Sequence, residues 1–203
     1  MNAFDQHLFL LLNAPAHVTQ WQITLAFVFA EYLIFALPIL LIGLWIRGTA
    51  LDRDDLVHAT VTVGVALLLG QLVSHLWPHA RPFMQHIGTN FLPHAPDASF
   101  PSDHMLVFWG LGLGFLASRR LSWLTVPLMT VGLLVGWSRI FLGVHFPLDI
   151  AGALPVAALA ALISRAAAGV IDRAISIPAQ RLYWYVIPSR LRTGNKTHRK
   201  HGD

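Results

Sequence analysis

Arg81, Ser102, His104, Arg139, His145 and Asp149 are the residues of this chain whose types and grouping could do chemistry. They fall in three clusters. The first is Arg81-Pro82-Phe83, the second is Phe100-Pro101-Ser102-Asp103-His104, and the third is Ser138-Arg139 followed by His145 and Asp149. Two Arg, two His, a Ser and an Asp suit a phosphate ester. Arg forks hold phosphate oxygens through paired N–H groups. Ser102 and Asp103 are good N-cap residues, so a helix is expected to open there and aim its free amides and positive dipole end at an anion. One imidazole can attack phosphorus while the other gives a proton to the leaving oxygen. Pro147 suits the first turn of a helix, which places His145 just before that turn and Asp149 within it. The carboxylate can then hold one imidazole nitrogen protonated and leave the other free to attack.

The elements that must position these groups are apolar helices. The chain has 203 residues, 55% hydrophobic and only 12% charged, against roughly 25% charged in a soluble domain. A span needs about 20 mostly apolar residues. Segments 24–46, 57–77, 121–141 and 147–171 qualify, and 104–117 is short. Residues 4–12 are apolar but too short to cross, and read as an interfacial helix. The fold class expected is all-α, a polytopic membrane bundle of five to six transmembrane helices with an interfacial N-terminal segment. One unit is expected over 1–175, with a basic tail over 176–203. The absence of cysteine excludes disulfides and thiolate metal sites. A basic tail on an apolar body does not make the basic face of a nucleic-acid binder, and the N-terminus lacks the basic region of a signal peptide.

Orientation follows from Lys and Arg. Twelve of the 14 fall on one side of the alternating connections, among them Arg47, Arg53, Arg119, Arg120 and the whole tail, while Arg81 and Arg139 fall on the other. The tail should be cytoplasmic, and the loops 78–103 and 142–146 should face outward. Tyr183, Trp184 and Tyr185 beside the tail read as an interfacial anchor. The two arginines that break the pattern lie in the clusters above, where a costly charge has a job.

Arg81-Pro82, then Pro101-Ser102-Asp103-His104, then Ser138-Arg139-x5-His145-x3-Asp149 resembles the three-part signature of the type 2 phosphatidic acid phosphatase (PAP2) superfamily, which includes the vanadium haloperoxidases. The resemblance covers about residues 74–149 and is greatest to the bacterial undecaprenyl-diphosphatase branch. It implies a metal-independent, cofactor-free hydrolase in the bacterial inner membrane. Its partners would be membrane lipids and a polyprenyl or phospholipid phosphate substrate, with no nucleic acid. By that resemblance His145 is the nucleophile, Asp149 orients it, and His104 is the general acid and then the base for water. Arg81, Ser102 and Arg139 would bind phosphate, with Asp103 beside them. Alternative readings are phosphatidate, phosphatidylglycerophosphate or lipid A phosphate as substrate, or a non-catalytic binder of polyprenyl phosphates. Two positions depart from the family pattern. Ser74 stands where the first motif usually has Lys, a role His75 or His79 could take over, and Asp103 replaces the usual Gly. An anion beside a phosphate is unfavourable unless it caps the helix or holds a His or Arg.

Some single residues have plainer readings. His75, His79, His86 and His94 crowd one loop without the compact spacing of a metal site, and are expected to be structural or solvated. Glu31, the only Glu, lies inside the first span and is expected to pair with a polar group near the outer interface. Gly110, Gly112, Gly114, Gly132 and Gly136 suit close helix packing, and Gly143 a backbone bend before His145.

Overall fold

The structure is a computed structural model that describes residues 3–187. The regular elements among the described residues are all helices, with no strand. A short helix α1 (Ala3–Leu12) comes first. α2 (Gln20–Phe27), a π-helical turn (Val28–Tyr32) and α3 (Leu33–Arg47) run on as one rod of 28 residues. α4 (Ala50–Leu76), α5 (Asp103–Leu116), α6 (Thr125–Phe141) and α7 (Pro147–Ala166) follow. A short α8 (Ala168–Ile171), a π turn (Asp172–Ser176) and α9 (Ile177–Val186) end the described chain.

Four helices are long and apolar enough to cross a membrane: Gln20–Arg47, Ala50–Leu76, Ser122–Phe141 and Pro147–Ala166. α5 is different. It has 14 residues, about 21 Å at the usual helical rise against about 30 Å of hydrocarbon. Only Asp103 extends it before His104, because Pro101 and the N-cap Ser102 stop it there. α5 is nonetheless the centre of the bundle, packed on α4, α6 and α7. Met105, Leu106, Phe108, Trp109, Leu111 and Phe115 are all buried. Its glycines let the backbones close up: a Cβ at Gly114 would stand 2.7 Å from Ala59 Cα on α4.

α1 does more than lie in an interface. With 10 residues it is too short to span, but it is folded onto the bundle. Phe9 is fully buried and meets Phe146 edge-on, with ring centroids 5.1 Å apart. Asp5 is buried and accepts from Leu148 N–H at 3.0 Å. Asn13 accepts from Thr89 N–H at 2.7 Å and donates to Thr89 and Phe141 carbonyls at 2.9 and 3.1 Å. The apolar spacing of the first residues thus serves to brace the 141–148 connection.

The opposite end is closed by α9. Tyr183 is buried, and its hydroxyl donates to Ile46 O at 3.1 Å. The Arg53 guanidinium stacks on its ring at 3.8 Å and donates to Gly48 O at 2.8 Å. Of the expected aromatic anchor, Tyr183 faces inward and Tyr185 is exposed. The first part of the expected tail is therefore a docked helix. Arg190, Arg192, Lys196, Arg199 and Lys200 lie outside the described residues.

Candidate active site

Three helix ends and the 77–102 connection meet at one end of the bundle. α7 opens with Pro147, and Asp149 occupies its third position. Asp149 Oδ2 reaches back to accept from Phe146 N–H at 2.7 Å and from the Ser99 hydroxyl in a short hydrogen bond. His145 Nδ1 stands 3.4 Å from the same oxygen and 3.3 Å from Ser99 Oγ. Three donors therefore converge on one carboxylate oxygen. Ser102 N–H donates to Asp149 O at 3.1 Å, which ties the start of α5 to the start of α7.

The bend that presents His145 needs glycine. Gly143 has φ 87°, and a Cβ there would run into the Thr89 backbone. That left-handed conformation is one glycine adopts at no steric cost. Phe91 N–H donates to Leu142 O at 2.9 Å, so the long loop is laced directly to the bend.

His145 Nε2 points the other way, to Arg81 Nη1 at 3.1 Å. Arg81 is buried and spread over four partners. Nε donates to Asp97 at 2.8 Å, Nη1 also donates to Val144 O at 3.0 Å, and Nη2 donates to Ala98 O at 3.3 Å. Burial opposes ionisation of Asp97, yet the Arg81 guanidinium holds its carboxyl below the usual range. Burial pushes the His145 imidazole well below its ordinary value, and the charges of Arg139 and Arg81 push the same way. A guanidinium can only donate, so His145 presents a lone pair on Nε2 to Arg81.

Arg139 closes α6 and is 1% exposed. Its Nη1 stands 3.2 Å from His104 Nε2 and donates to Ala30 O and Glu31 Oε1, each at 3.1 Å. The π turn explains how a mid-helix carbonyl is free to accept: a widened turn releases backbone groups from the regular ladder. Glu31 therefore does pair with a polar group, as its position in the span suggests, and that group belongs to the site. Arg139 Nε is buried without a partner, and so is Ser102 Oγ. Ser102 takes the N-cap position but makes no side-chain cap bond, which leaves its hydroxyl for a ligand.

The structure thus brings Arg81, Ser102, His104, Arg139, His145 and Asp149 to one end of the bundle. Asp103, the first residue of α5, is exposed and hydrogen-bonded to the Gln71 side chain. Chemically the arrangement offers an oriented imidazole with a lone pair on Nε2, a second imidazole, two buried guanidiniums and a free hydroxyl.

The sequence profile of the PAP2 superfamily matches residues 55–170, more than half of the chain. The chain belongs to the PAP2 superfamily. It is 41% identical over 180 residues to YbjG of Escherichia coli (strain K12), named provisionally as an undecaprenyl-diphosphatase, covering 88% of both chains. It is 37% identical over 128 residues to the undecaprenyl-diphosphatase BcrC of Bacillus subtilis (strain 168), covering 63% of this chain and 65% of that one. The solved structure of Aquifex aeolicus LpxE superposes with a TM-score of 0.62 at 22% identity, over 80% of this chain and 95% of that one. The fold is shared.

Within this PAP2 chain the departures from the family pattern have local explanations. The Ser74 hydroxyl donates to Phe100 O at 2.8 Å, pinning the end of α4 to the second motif. His79 lies in an aromatic cluster, 5.1 Å from Trp77 and 5.5 Å from Phe100 between centroids, and His75 is exposed. His94 Nδ1 stands 3.7 Å from Asp97, the partner of Arg81. Burial, with the charges of Arg81 and Arg139, pushes its imidazole down. Sequence reasoning missed Ser99 and Asp97. Ser99 had a signal, since it lies beside the Phe100–His104 motif. Asp97 had none, because a loop acid acquires its partner only when the loop folds back on Arg81.

Proposed function

We propose that this PAP2 phosphatase hydrolyses undecaprenyl diphosphate to undecaprenyl phosphate and inorganic phosphate, recycling the carrier lipid of cell-wall synthesis. The observation that carries the chemistry is the pairing at one end of the bundle of His145 Nε2 with Arg81 and of His104 Nε2 with Arg139, at 3.1 and 3.2 Å. The substrate class is carried by the relatives named above. The positive-inside rule puts this end outside the bacterial inner membrane and the C-terminus in the cytoplasm.

His145 Nε2 attacks the terminal phosphorus, forming an N–P bond as the P–O bond to the lipid phosphate breaks. His104, which takes up a proton as the phosphate draws Arg139 away from its Nε2, gives that proton to the departing oxygen. Arg81, Arg139 and the Ser102 hydroxyl take the phosphoryl oxygens, where fixed donors are worth most in a water-poor site. Asp149, helped by Ser99, keeps the proton on His145 Nδ1 and balances the positive charge of the phosphoimidazole. Water then attacks phosphorus, His104 takes its proton, and His145 leaves with its lone pair restored. Asp103 opens α5 beside these groups, and its charge acts on the site through Arg81 and Arg139.

Phosphate release by the detergent-solubilised chain tests this reading, with undecaprenyl diphosphate, phosphatidate and phosphatidylglycerophosphate offered in the presence of chelator. Fastest turnover on the diphosphate, absent in His145→Ala, is expected. Faster turnover on either monoester would move the substrate while keeping the chemistry, and turnover by His145→Ala would refute the phosphohistidine.

A further inference from the structure

At the end of the bundle opposite His145, a second polar cluster takes no part in this chemistry. Asp54 and His58 stand one helical turn apart on one face of α4, a spacing that makes neighbours. Asp172 opens the π turn that follows α8. One ligand atom from each of the three lies within 4.8 Å of the others, and His58 Nε2 is 2.7 Å from Asp172 Oδ1. All three line a cavity of about 760 Å³ between α4, α5 and α7.

We propose that Asp54, His58 and Asp172 bind a divalent cation of the zinc or manganese class, which clamps α4 to the segment after α7. Imidazole and carboxylate together suit these ions. Ligand atoms around a tetrahedral ion at about 2.1 Å stand about 3.4 Å apart, so the cluster needs shifts of only about 1 Å to close on one centre.

Two further observations point to a ligand. Ser164 on α7 is 3% exposed, lines the same cavity, and its Oγ has no hydrogen-bond partner. A buried hydroxyl left unpaired is costly, and water on the open coordination position of a cation would give it a partner. Asp54 is also held from behind. Gln180 Nε2 donates to Ser176 Oγ at 3.1 Å, and the Ser176 hydroxyl donates in turn to Asp54 Oδ1 in a short bond. That relay fixes the carboxylate and leaves its other oxygen free, as outer-shell groups do around metal ligands. π turns recur at functional positions, and here the turn supplies both Asp172 and Ser176. Arg119 and Arg165 line the cavity and oppose a cation. Asp55 offsets part of that charge, although its carboxylate accepts from Ser118 Oγ at 2.5 Å.

The experiment is titration of the full chain, in detergent and without an affinity tag, with zinc or manganese chloride alone. Thermal unfolding and calorimetry are the readouts. Wild type and His145→Ala should both bind one ion and unfold at higher temperature with it. Asp172→Asn and His58→Gln should each bind about tenfold more weakly or worse, because one of three protein ligands is gone. Asp54→Asn, which keeps the oxygen that Ser176 holds, serves if either of the others does not fold. No binding by wild type, or equal binding by all the variants, would overturn the assignment. Equal binding would place the ion on other histidines of the chain.

Discussion

Replacing Asp149 with Asn changes charge while keeping shape, and the structure sets what that should do. Phe146 N–H, the Ser99 hydroxyl and His145 Nδ1 all address Oδ2. An Asn placed with its carbonyl oxygen there keeps these bonds and its amide faces away, so fold and tautomer should survive. What is lost is the negative charge 3.4 Å from the imidazole that turns cationic on phosphorylation. Coulomb's law at an effective dielectric constant of about 20 makes that worth up to about 5 kcal/mol. Exchanging a charged for a neutral acceptor gives a floor of about 1.5 kcal/mol. The expected fall in kcat is therefore roughly 10²-fold and at least about tenfold, with KM little changed. Single-turnover phosphate release, with acid-stable and acid-labile phosphate separated to follow the phosphoimidazole, reads the step directly. Thermal unfolding checks the fold. A variant with wild-type kcat would refute the charge-balancing role. A loss of about 10⁴-fold, the size of a wrong-tautomer defect in a serine protease, would show that the amide had flipped and that the shared-oxygen arrangement does not govern the tautomer.

Other outcomes follow from the same geometry. Arg81→Lys should lower kcat/KM about 10²-fold, since one ammonium cannot reach Asp97, Ala98, Val144 and the phosphate together; wild-type kinetics would refute a forked contact. Ser102→Ala should leave the unfolding temperature unchanged or slightly higher, because its hydroxyl has no partner to lose, and should cost about tenfold in kcat/KM. A clear drop in melting temperature would mean the hydroxyl is structural. His145 has a folded-state pKa below its unfolded value, so its burial favours the folded state above about pH 6.5 and that contribution is lost as pH falls below it. Melting temperature against pH should slope less steeply between about pH 7 and 5 in His145→Gln than in wild type; parallel profiles would show that His145 is not buried neutral.

Much of this protein was legible in one dimension because the membrane imposes a strong pattern. Apolar runs of spanning length mark the long helices, and the asymmetry of Lys and Arg singles out Arg81 and Arg139. Asp149 at the third position of a helix opened by Pro147 must lie near His145, since that distance is set by local geometry alone. Other facts depend on long-range packing and left no local trace. α1 is a brace because Phe9 and Asn13 find partners more than seventy residues away. Glu31 holds Arg139 only because a π turn on one rod meets the end of α6. Ser102 has the right residue type for a cap, yet its hydroxyl makes no cap bond, while its amide is tied to Asp149 O on α7. Sequence by itself determined residue types, helix lengths and the helix termini that carry the chemistry, all consequences of local sterics and solvation. Only the tertiary structure decided which donor faces which acceptor, because hydrogen-bond direction at about 3 Å depends on how distant helices cross.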